Sequence, residues 1–433
     1  MDYVKQLIDG SKKFGIIGQG YVGLPLAEAF AEAGMHVIGF DIDKTKVDSI
    51  NRGESYIGDV KSENLKPLVD KGLIEGTTDF SRLVDCSVIS ICVPTPLSKS
   101  KDPDVTYIEA ALAEIIRHLQ KGQVIVLEST TYPGTTDELA LPLLEETGMK
   151  CGQDFHLAFS PERVDPGNVR YTVKNTPKII GGVTEECTRI ATEVYDYALE
   201  HVHPVTSTRA AELVKLLENS FRAINIGFIN EMAMICEKLD VDVWEVIEAS
   251  KTKPFGFMPF YPGPGLGGHC IPIDPLYLKW KLTSLDFKAQ FIDLADSINS
   301  NMPHYVVTRV MEQLNEHGKA LKGCRVLILG MAYKENIDDV RESPALDVAK
   351  LLFEKGADVV YHDAHVPHCR VEEHNLQSSE LNEELVKGAD LVFIATGHSG
   401  VDYQWVVDNA QLVFDTKNMT GHLDRTAGKV AKL

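Results

Sequence analysis

No CxxC pair occurs among the eight cysteines, at positions 86, 92, 151, 187, 236, 270, 324 and 369. The spacing of a structural zinc site is therefore missing, and no metal is expected. The scatter suits free thiols of a reducing compartment rather than a disulfide framework. No uninterrupted apolar run reaches the roughly 18 residues that would suggest a membrane span. The N-terminus, MDYVKQLIDGSKK, lacks the apolar core and cleavage pattern of a secretory signal. The expectation is a soluble, cytoplasmic protein without a membrane partner. Basic residues are also short, 43 Lys and Arg against 63 Asp and Glu, for a net charge of −20. That balance argues against broad nucleic-acid binding, yet leaves room for a local cationic pocket around an anionic nucleotide. Short-period repeats and low-complexity tracts are absent too.

What is present is an ordinary folding composition, 44% apolar over 433 residues, enough for two or three domains. The first half alternates strand and helix signals. KFGII (13–17), HVIGFD (36–41), SVISICV (87–93), QVIVLES (123–129), FHLAFS (155–160) and PKIIGG (177–182) are apolar runs of strand length. Helical segments separate several of them, which predicts a parallel sheet covered on both faces. From about Ser207 the pattern changes. Residues 208–239 contain no Pro and one Gly, and their sustained apolar spacing predicts one long helix, capped by Ser207 or Thr208. That helix reads equally as a buried core element or as a link with a dimer surface. After GKALKGC (318–324), RVLILG (325–330), ADVVYHD (357–363), ADLVFIAT (389–396) and QLVFD (411–415) restore the alternation. The expected fold class is α/β: two Rossmann-like α/β domains joined by a long central helix and a small helical domain. The expected boundaries are 1–206, 207–317 and 318–433. Most cysteines read as small core residues, Cys92 in SVISICV and Cys324 before RVLILG among them.

Gly18-Gln19-Gly20-Tyr21-Val22-Gly23 follows a predicted strand and opens a predicted helix. In that context GxGxxG is a dinucleotide fingerprint. Gly18 makes the tight turn, Gly20 lets a pyrophosphate approach, and Gly23 permits close helix packing. The helix N-terminus favours the phosphate charge. Asp41 ends the next strand, where an acid bonds the ribose hydroxyls and repels a 2′-phosphate, so NAD is expected over NADP. The plainer alternative is a Gly-rich turn with a surface Asp.

Cys270 sits in PGPGLGGHCIPIDP. So small a backbone lets a ligand come close to the thiol, and Asp274 is a polar partner four residues on. His269 is its sequence neighbour, which points away on an extended segment, so a Cys–His pair is not implied. A thiol beside a nicotinamide suggests oxidation through a covalent sulfur adduct.

Other polar groups are less specific. Lys215 and Asn219, four apart on the long helix, share a face. On the residues alone they read first as a solvated pair, and Glu218 and Arg222 as an exposed one. Glu128-Ser129-Thr130-Thr131-Tyr132-Pro133-Gly134-Thr135-Thr136 follows a strand, where a hydroxyl-rich turn either orients a water or caps a helix. In Ser160-Pro161-Glu162-Arg163, Glu162 is either a base or a structural partner of Arg163. The prolines of CVPTP end a strand and turn Thr95 toward the crevice. Lys334 and Arg341, in YKENIDDVRESP, either hold a phosphate or ribose or belong to a charged loop.

Together GQGYVGLPLA, CVPTP, ESTTYPGTT, SPER, AAELVKLLEN, PGPGLGGHCIPIDP and GMAYKENIDDVRESP resemble the nucleotide-sugar 6-dehydrogenases, the UDP-glucose/UDP-N-acetyl-hexosamine family. The likeness covers nearly the whole chain. It implies oxidation of a primary alcohol at C6 of a UDP-sugar to a carboxylate with two NAD⁺. It makes 1–206 the NAD-binding domain, 207–317 the central domain with the thiol loop and dimer surface, and 318–433 the UDP-sugar-binding domain. It also implies Cys270 as nucleophile, Lys215 and Asn219 as oxyanion stabilisers, and Asp274 as the acid after the nucleophile. Thr130 and Glu162 match the water-positioning and base residues. The resulting cofactor set is Gly18, Gly20, Tyr21, Val22, Gly23, Asp41, Thr95, Thr130 and Arg341. The substrate set is Glu162, Arg163, Lys215, Asn219, Gly267, His269 and Lys334. A homodimer or higher homo-oligomer is implied as well. UDP-glucose members usually carry Ser before the nucleophile. His269 and the stretch TKPFGFMPFYPGPG resemble the UDP-N-acetylglucosamine enzymes most closely. UDP-N-acetylgalactosamine, UDP-N-acetylmannosamine and UDP-glucose remain alternatives. A non-catalytic nucleotide-sugar-binding protein and a single-hydride hydroxyacid dehydrogenase are remoter ones. One departure is Asp415-Thr416-Lys417-Asn418, where the family often has Arg; Lys417 keeps the charge without the planar fork.

Overall fold

The computed structural model describes residues 2–98, 102–164, 168, 170–268, 270–423 and 429–433. They form two compact units, Met1–Glu218 with Leu276–Phe287, and Asn219–Pro275 with Lys288–Leu433. Among the described residues no helix is long and apolar enough to cross a membrane.

The first unit is built on eight strands: β1 Lys13–Ile17, β2 Val37–Phe40, β3 Ile74–Thr77, β4 Cys86–Ile91, β5 Val124–Leu127, β6 His156–Phe159, β7 Lys178–Gly182 and β8 Val202–Val205. Their order is β3-β2-β1-β4-β5-β6-β7-β8. The order reverses between β1 and β4, which creates the crevice where doubly wound folds bind ligands. The sheet buries an apolar cluster on each face. Phe14 and Ile16 of β1 point into one, while Ile17 joins the other. Alternate residues on one strand feed opposite faces, so a centrally placed strand reads as a continuous apolar run.

The expectation of an all-parallel sheet needs one correction. β6 and β7 pair antiparallel. Among the described residues of 160–177 between them there is no helix or strand, and a parallel return usually needs a crossover helix, whereas an antiparallel one does not. β3 and β8 were also not anticipated. β8, VHPV, is only partly covered, so it lacks the unbroken apolar run that marked the inner strands.

The long helix spans Thr208–Lys238, 31 residues. Ser207 is its cap, because its hydroxyl accepts the Ala210 N–H at 3.2 Å. Thr208 instead donates to Asp137 at 2.7 Å.

In the second unit β9 Arg325–Leu329, β10 Asp358–His362, β13 Leu391–Ile394, β14 Val413–Asp415 and β15 Val430–Lys432 make a five-stranded parallel sheet, while β11 His368–Val371 and β12 His374–Gln377 form a hairpin. The sheet order is β10-β9-β13-β14-β15, reversing between β9 and β13. The hairpin and β15 are additions to the expected strands. The helices Val243–Lys251 and Gln290–Glu316 precede this sheet, and Pro344–Glu354, Glu383–Gly388 and Tyr403–Asn409 alternate with its strands.

Candidate functional site

The crevice of the first unit is shaped by glycine. Gly18 has φ +92°, the left-handed region that L side chains avoid, and a Cβ there would lie 2.7 Å from the Cys92 carbonyl oxygen. A Cβ at Gly23 would lie 1.8 Å from the Gly18 carbonyl oxygen, so the helix Gly23–Glu32 can start this close to the turn only without a side chain. Gly20 differs: a Cβ there would meet nothing within 4 Å. Val22, the N-cap, makes no side-chain cap bond. The Leu24 N–H donates to the Gly20 carbonyl at 3.2 Å and Pro25 has no N–H, so a phosphate here would rely on the fingerprint loop and the positive end of the helix. Tyr21 is exposed. Asp41, buried at the end of β2, accepts the N–H groups of Gln19 and Asp43, each at 2.9 Å. The fingerprint loop and the acid are thus held against each other. This cradle, with open space at Gly20 beside a helix N-terminus, fits a dinucleotide.

The turns after β4 and β5 are laced together beside it. Thr95 donates its hydroxyl to the Thr130 carbonyl at 2.5 Å, and Ser129 donates to the Val93 carbonyl at 2.8 Å. Tyr277 donates to the Thr95 carbonyl. Glu212, 1% exposed, accepts the N–H groups of Gly134 and Thr136 and the Thr136 hydroxyl. It pins the hydroxyl-rich turn to the long helix, a role that sequence alone did not suggest.

Glu162 lies in a buried ionic cluster. Lys178 at the head of β7 reaches Glu128 at 2.6 Å and Glu162 at 3.1 Å. The second Glu162 oxygen accepts the N–H groups of Arg163 and Val164, both at 2.7 Å. Burial opposes the charge on Glu162, but Lys178, these N–H groups and Lys215 outweigh it and hold the carboxyl below its usual range. Lys178 is likewise held above its ordinary value: burial works against its charge and the two carboxylates override it. Arg163 is not the side-chain partner of Glu162. Its guanidinium pairs with Glu218, at 2.5 Å, and donates to the Pro177 carbonyl. Glu218 therefore has a partner other than the Arg222 considered above. Lys215 is 8% exposed, so the solvated reading of this residue fails.

The second unit holds the thiol. The Cys270 carbonyl accepts the N–H groups of Ile273 and Asp274, at 3.1 and 2.8 Å, as the chain turns into the helix Asp274–Thr283. Asp274 and Asn219 are 2% and 4% exposed, and the Asn219 amide donates to Asp274 at 2.5 Å. The glycines before the thiol have a packing reason beyond ligand access. A Cβ at Gly267 would stand 2.8 Å from Pro344 and Tyr333, and Gly268, at φ +93°, packs on the Tyr333 ring. Asn230 accepts the Gly263 N–H and donates to Asn299, which donates to the Ala223 carbonyl. These two buried amides clamp the start of the loop. His269 lies outside the described residues.

A cleft of about 480 Å³ opens in the same unit, lined by Trp244, Tyr261, Lys334, Thr396, Lys417 and Asn418 among others. It collects residues following β9, β13 and β14, the side where ligands bind in open parallel sheets. The rings of Trp244 and Tyr261 stack at 6.0 Å, and Trp244 donates its ring N–H to the Leu433 carbonyl. Burial pulls the Lys417 ammonium below its ordinary value against the pull of Asp415 and Glu335. Gly263 leaves room for it, since a Cβ there would be 2.9 Å from Nζ. Arg341, by contrast, is engaged by Asp339 at 2.6 Å.

Lys178, Glu212, Asn230, Asn299 and Trp244 were not singled out by the sequence reading. Lys178 alone left a trace there, as a charge at the head of an apolar strand that burial obliges to find a partner.

A doubly wound sheet with a dinucleotide cradle, joined in one chain to a second parallel sheet with an aromatic cleft that carries two lysines and two glutamates, suits an NAD-binding oxidoreductase acting on a nucleotide-linked substrate. Comparison narrows the class. Models of the UDP-glucose/GDP-mannose dehydrogenase family match three successive stretches: its NAD binding domain over residues 12–199, its central domain over 209–301 and its UDP binding domain over 327–422. The chain belongs to this family, uses NAD and takes a UDP-sugar. A UDP-N-acetyl-D-mannosamine dehydrogenase of Methanococcus maripaludis (strain C7) is 36% identical, over 98% of this chain and 96% of that protein. An NDP-N-acetyl-D-galactosaminuronic acid dehydrogenase of Ralstonia solanacearum is 34% identical, over 89% of this chain and 91% of that one. The solved UDP-D-ManNAc dehydrogenase of Pyrococcus horikoshii superposes with a TM-score of 0.89 at 32% identity, covering 97% of this chain and 98% of that one.

Proposed function

We propose that the chain oxidises C6 of UDP-N-acetylglucosamine to the carboxylate through a covalent adduct on Cys270. Bound NAD supplies a hydride acceptor at each of the two oxidations. The chain's own residues do the rest. The Cys270 thiolate adds to the C6 aldehyde, and the thiohemiacetal oxygen needs cationic or amide donors. Lys215 and Asn219 take that role by resemblance. The observation that carries this reading is the buried Asn219–Asp274 hydrogen bond beside the Cys270 turn. It fixes one amide N–H of Asn219 on Asp274 and leaves the second available to an oxyanion. Oxidation of the adduct gives a thioester, and Glu162 with Thr130 serves its hydrolysis. The Trp244–Tyr261 cleft with Lys334 and Lys417 suits a base and its phosphates.

The gluco configuration rests on TKPFGFMPFYPGPGLGGHC, residues 252–270. A second reading, the manno epimer, is favoured by the names of the Methanococcus and Pyrococcus relatives. An NAD-reduction assay across UDP-glucose and the three UDP-N-acetyl-hexosamines separates them. The expected result is the highest kcat/KM on UDP-N-acetylglucosamine, with two NADH per sugar. Preference for the manno sugar overturns the epimer, and one NADH with a keto-sugar product overturns the chemistry.

A further inference from the structure

We propose that Lys178 is a positioning residue for Glu162, setting both the direction of its carboxylate and the pH at which it becomes a base. The inference rests on the reading of Glu162 as the base of thioester hydrolysis and deepens it. Lys178 opens β7 at 3% exposure and bridges Glu128 and Glu162. Glu128 is 1% exposed and locked in turn, accepting from Ser90 at 2.8 Å and from Tyr195 at 2.6 Å. Held by Glu128, Lys178 presents its ammonium to Glu162 from a fixed point. Two backbone N–H groups take one Glu162 oxygen and Lys178 meets the other. A carboxylate oxygen has a second lone-pair direction, so Oε2 can accept a proton from water while Lys178 keeps it oriented.

The charges facing Glu162 have opposite signs. Lys178 and Lys215 favour its ionised form. Glu128 opposes it, by like charge and by drawing on the same Lys178. The Cys92 thiol, which feels Glu128, Lys178 and Glu162, is pushed well up by burial and stays neutral. Tyr195 is also held neutral, first by burial and then by Glu128. Removing Lys178 therefore raises the pKa of Glu162, whereas neutralising Glu128 lowers it.

The acid limb of the kcat–pH profile reads this directly, because activity requires ionised Glu162. In Lys178→Met the limb moves to higher pH, and kcat at neutral pH falls by about tenfold or more with KM for the UDP-sugar little changed. In Glu128→Gln the limb moves to lower pH. Lys178→Arg keeps the charge and restores most of the profile. A purely structural role would lower active protein without moving the limb in opposite directions. If Lys178→Met does not fold, Glu128→Gln and Lys178→Arg decide alone. Glu162→Gln is measured in parallel. If it retains full kcat, the reading of Glu162 fails and this inference falls with it. If Glu162→Gln is inactive but the Lys178 and Glu128 variants keep the wild-type acid limb, only the role of Lys178 is overturned.

Discussion

Replacing Cys270 by Ser keeps the size of the side chain and removes the proposed nucleophile. The turn that holds the residue uses its backbone carbonyl, which accepts from Ile273 and Asp274, so the variant should fold and bind nucleotide normally. Overall turnover should fall on the order of 10⁴-fold or more, as for other nucleophile deletions. Isothermal titration with NAD and stopped-flow turnover check the two halves, and full activity would remove the covalent mechanism. Asp41 offers a second test at this scale. Its carboxylate braces Gln19 and Asp43, and its proposed role is to repel a 2′-phosphate. Asp41→Asn should weaken the preference for NAD over NADP, read as the ratio of the two kcat/KM values, and an unchanged ratio would refute the assignment. Cys270, Asp41 and the fingerprint glycines stand out as candidates because each chemical type sits in a local pattern. Lys178 and Glu128 lie 50 positions apart and meet only through the sheet, a pairing that no local spacing encodes.

The fingerprint helix Gly23–Glu32 separates packing from binding. At Gly23 there is no room for a methyl group against the Gly18 carbonyl, whereas Gly20 faces open space. Gly23→Ala should cost about 1–3 kcal/mol or more, seen as a lower Tm. Gly20→Ala should leave Tm unchanged and weaken NAD binding. Equal Tm losses in both would mean that Gly20 is structural. The same helix carries Glu28, whose carboxyl is pushed up to about 7 by burial and by the like charge of Glu32. Folded Glu28 holds a proton that the unfolded chain releases at lower pH, so its contribution to stability falls as pH rises from about 4.5 to about 7. Glu28→Gln should match wild type in Tm at pH 4 and exceed it at pH 8. The gain is on the order of 1 kcal/mol once partial exposure is allowed for, and a pH-independent difference would remove the claim. The inner strands of both sheets and the 31-residue helix were readable from periodicity. The antiparallel β6–β7 pair was not, because strand direction follows from the connection rather than from the strand's own residues.

On the whole molecule, the long helix exposes apolar side chains, of which Phe221 packs edge-on against Phe260 at 5.7 Å. Phe221, Phe228 and Ile235 are 45%, 55% and 42% exposed and seven residues apart, with Leu239 beyond them at 67%. A seven-residue repeat keeps one stripe of a helix in register with another helix. A contiguous apolar stripe of this kind marks a protein–protein surface, and a second copy of the same stripe is the simplest complement. The proposed assembly is thus a homodimer, for which the length of the helix argued from sequence. Net charge sets its salt dependence. Two chains of −20 each repel over the Debye length, so raising ionic strength from about 0.01 to 0.15 M should tighten the dimer, the reverse of an interface held by ion pairs. Light scattering at low micromolar concentration should give about twice the 47.9 kDa of the chain. Phe228→Glu places a charge on the stripe without touching a core, and should yield a folded monomer with unchanged Tm when unfolding is measured below the wild-type dissociation constant. A wild-type monomer at every salt concentration, or a Phe228→Glu protein that remains dimeric, would place the partner surface elsewhere.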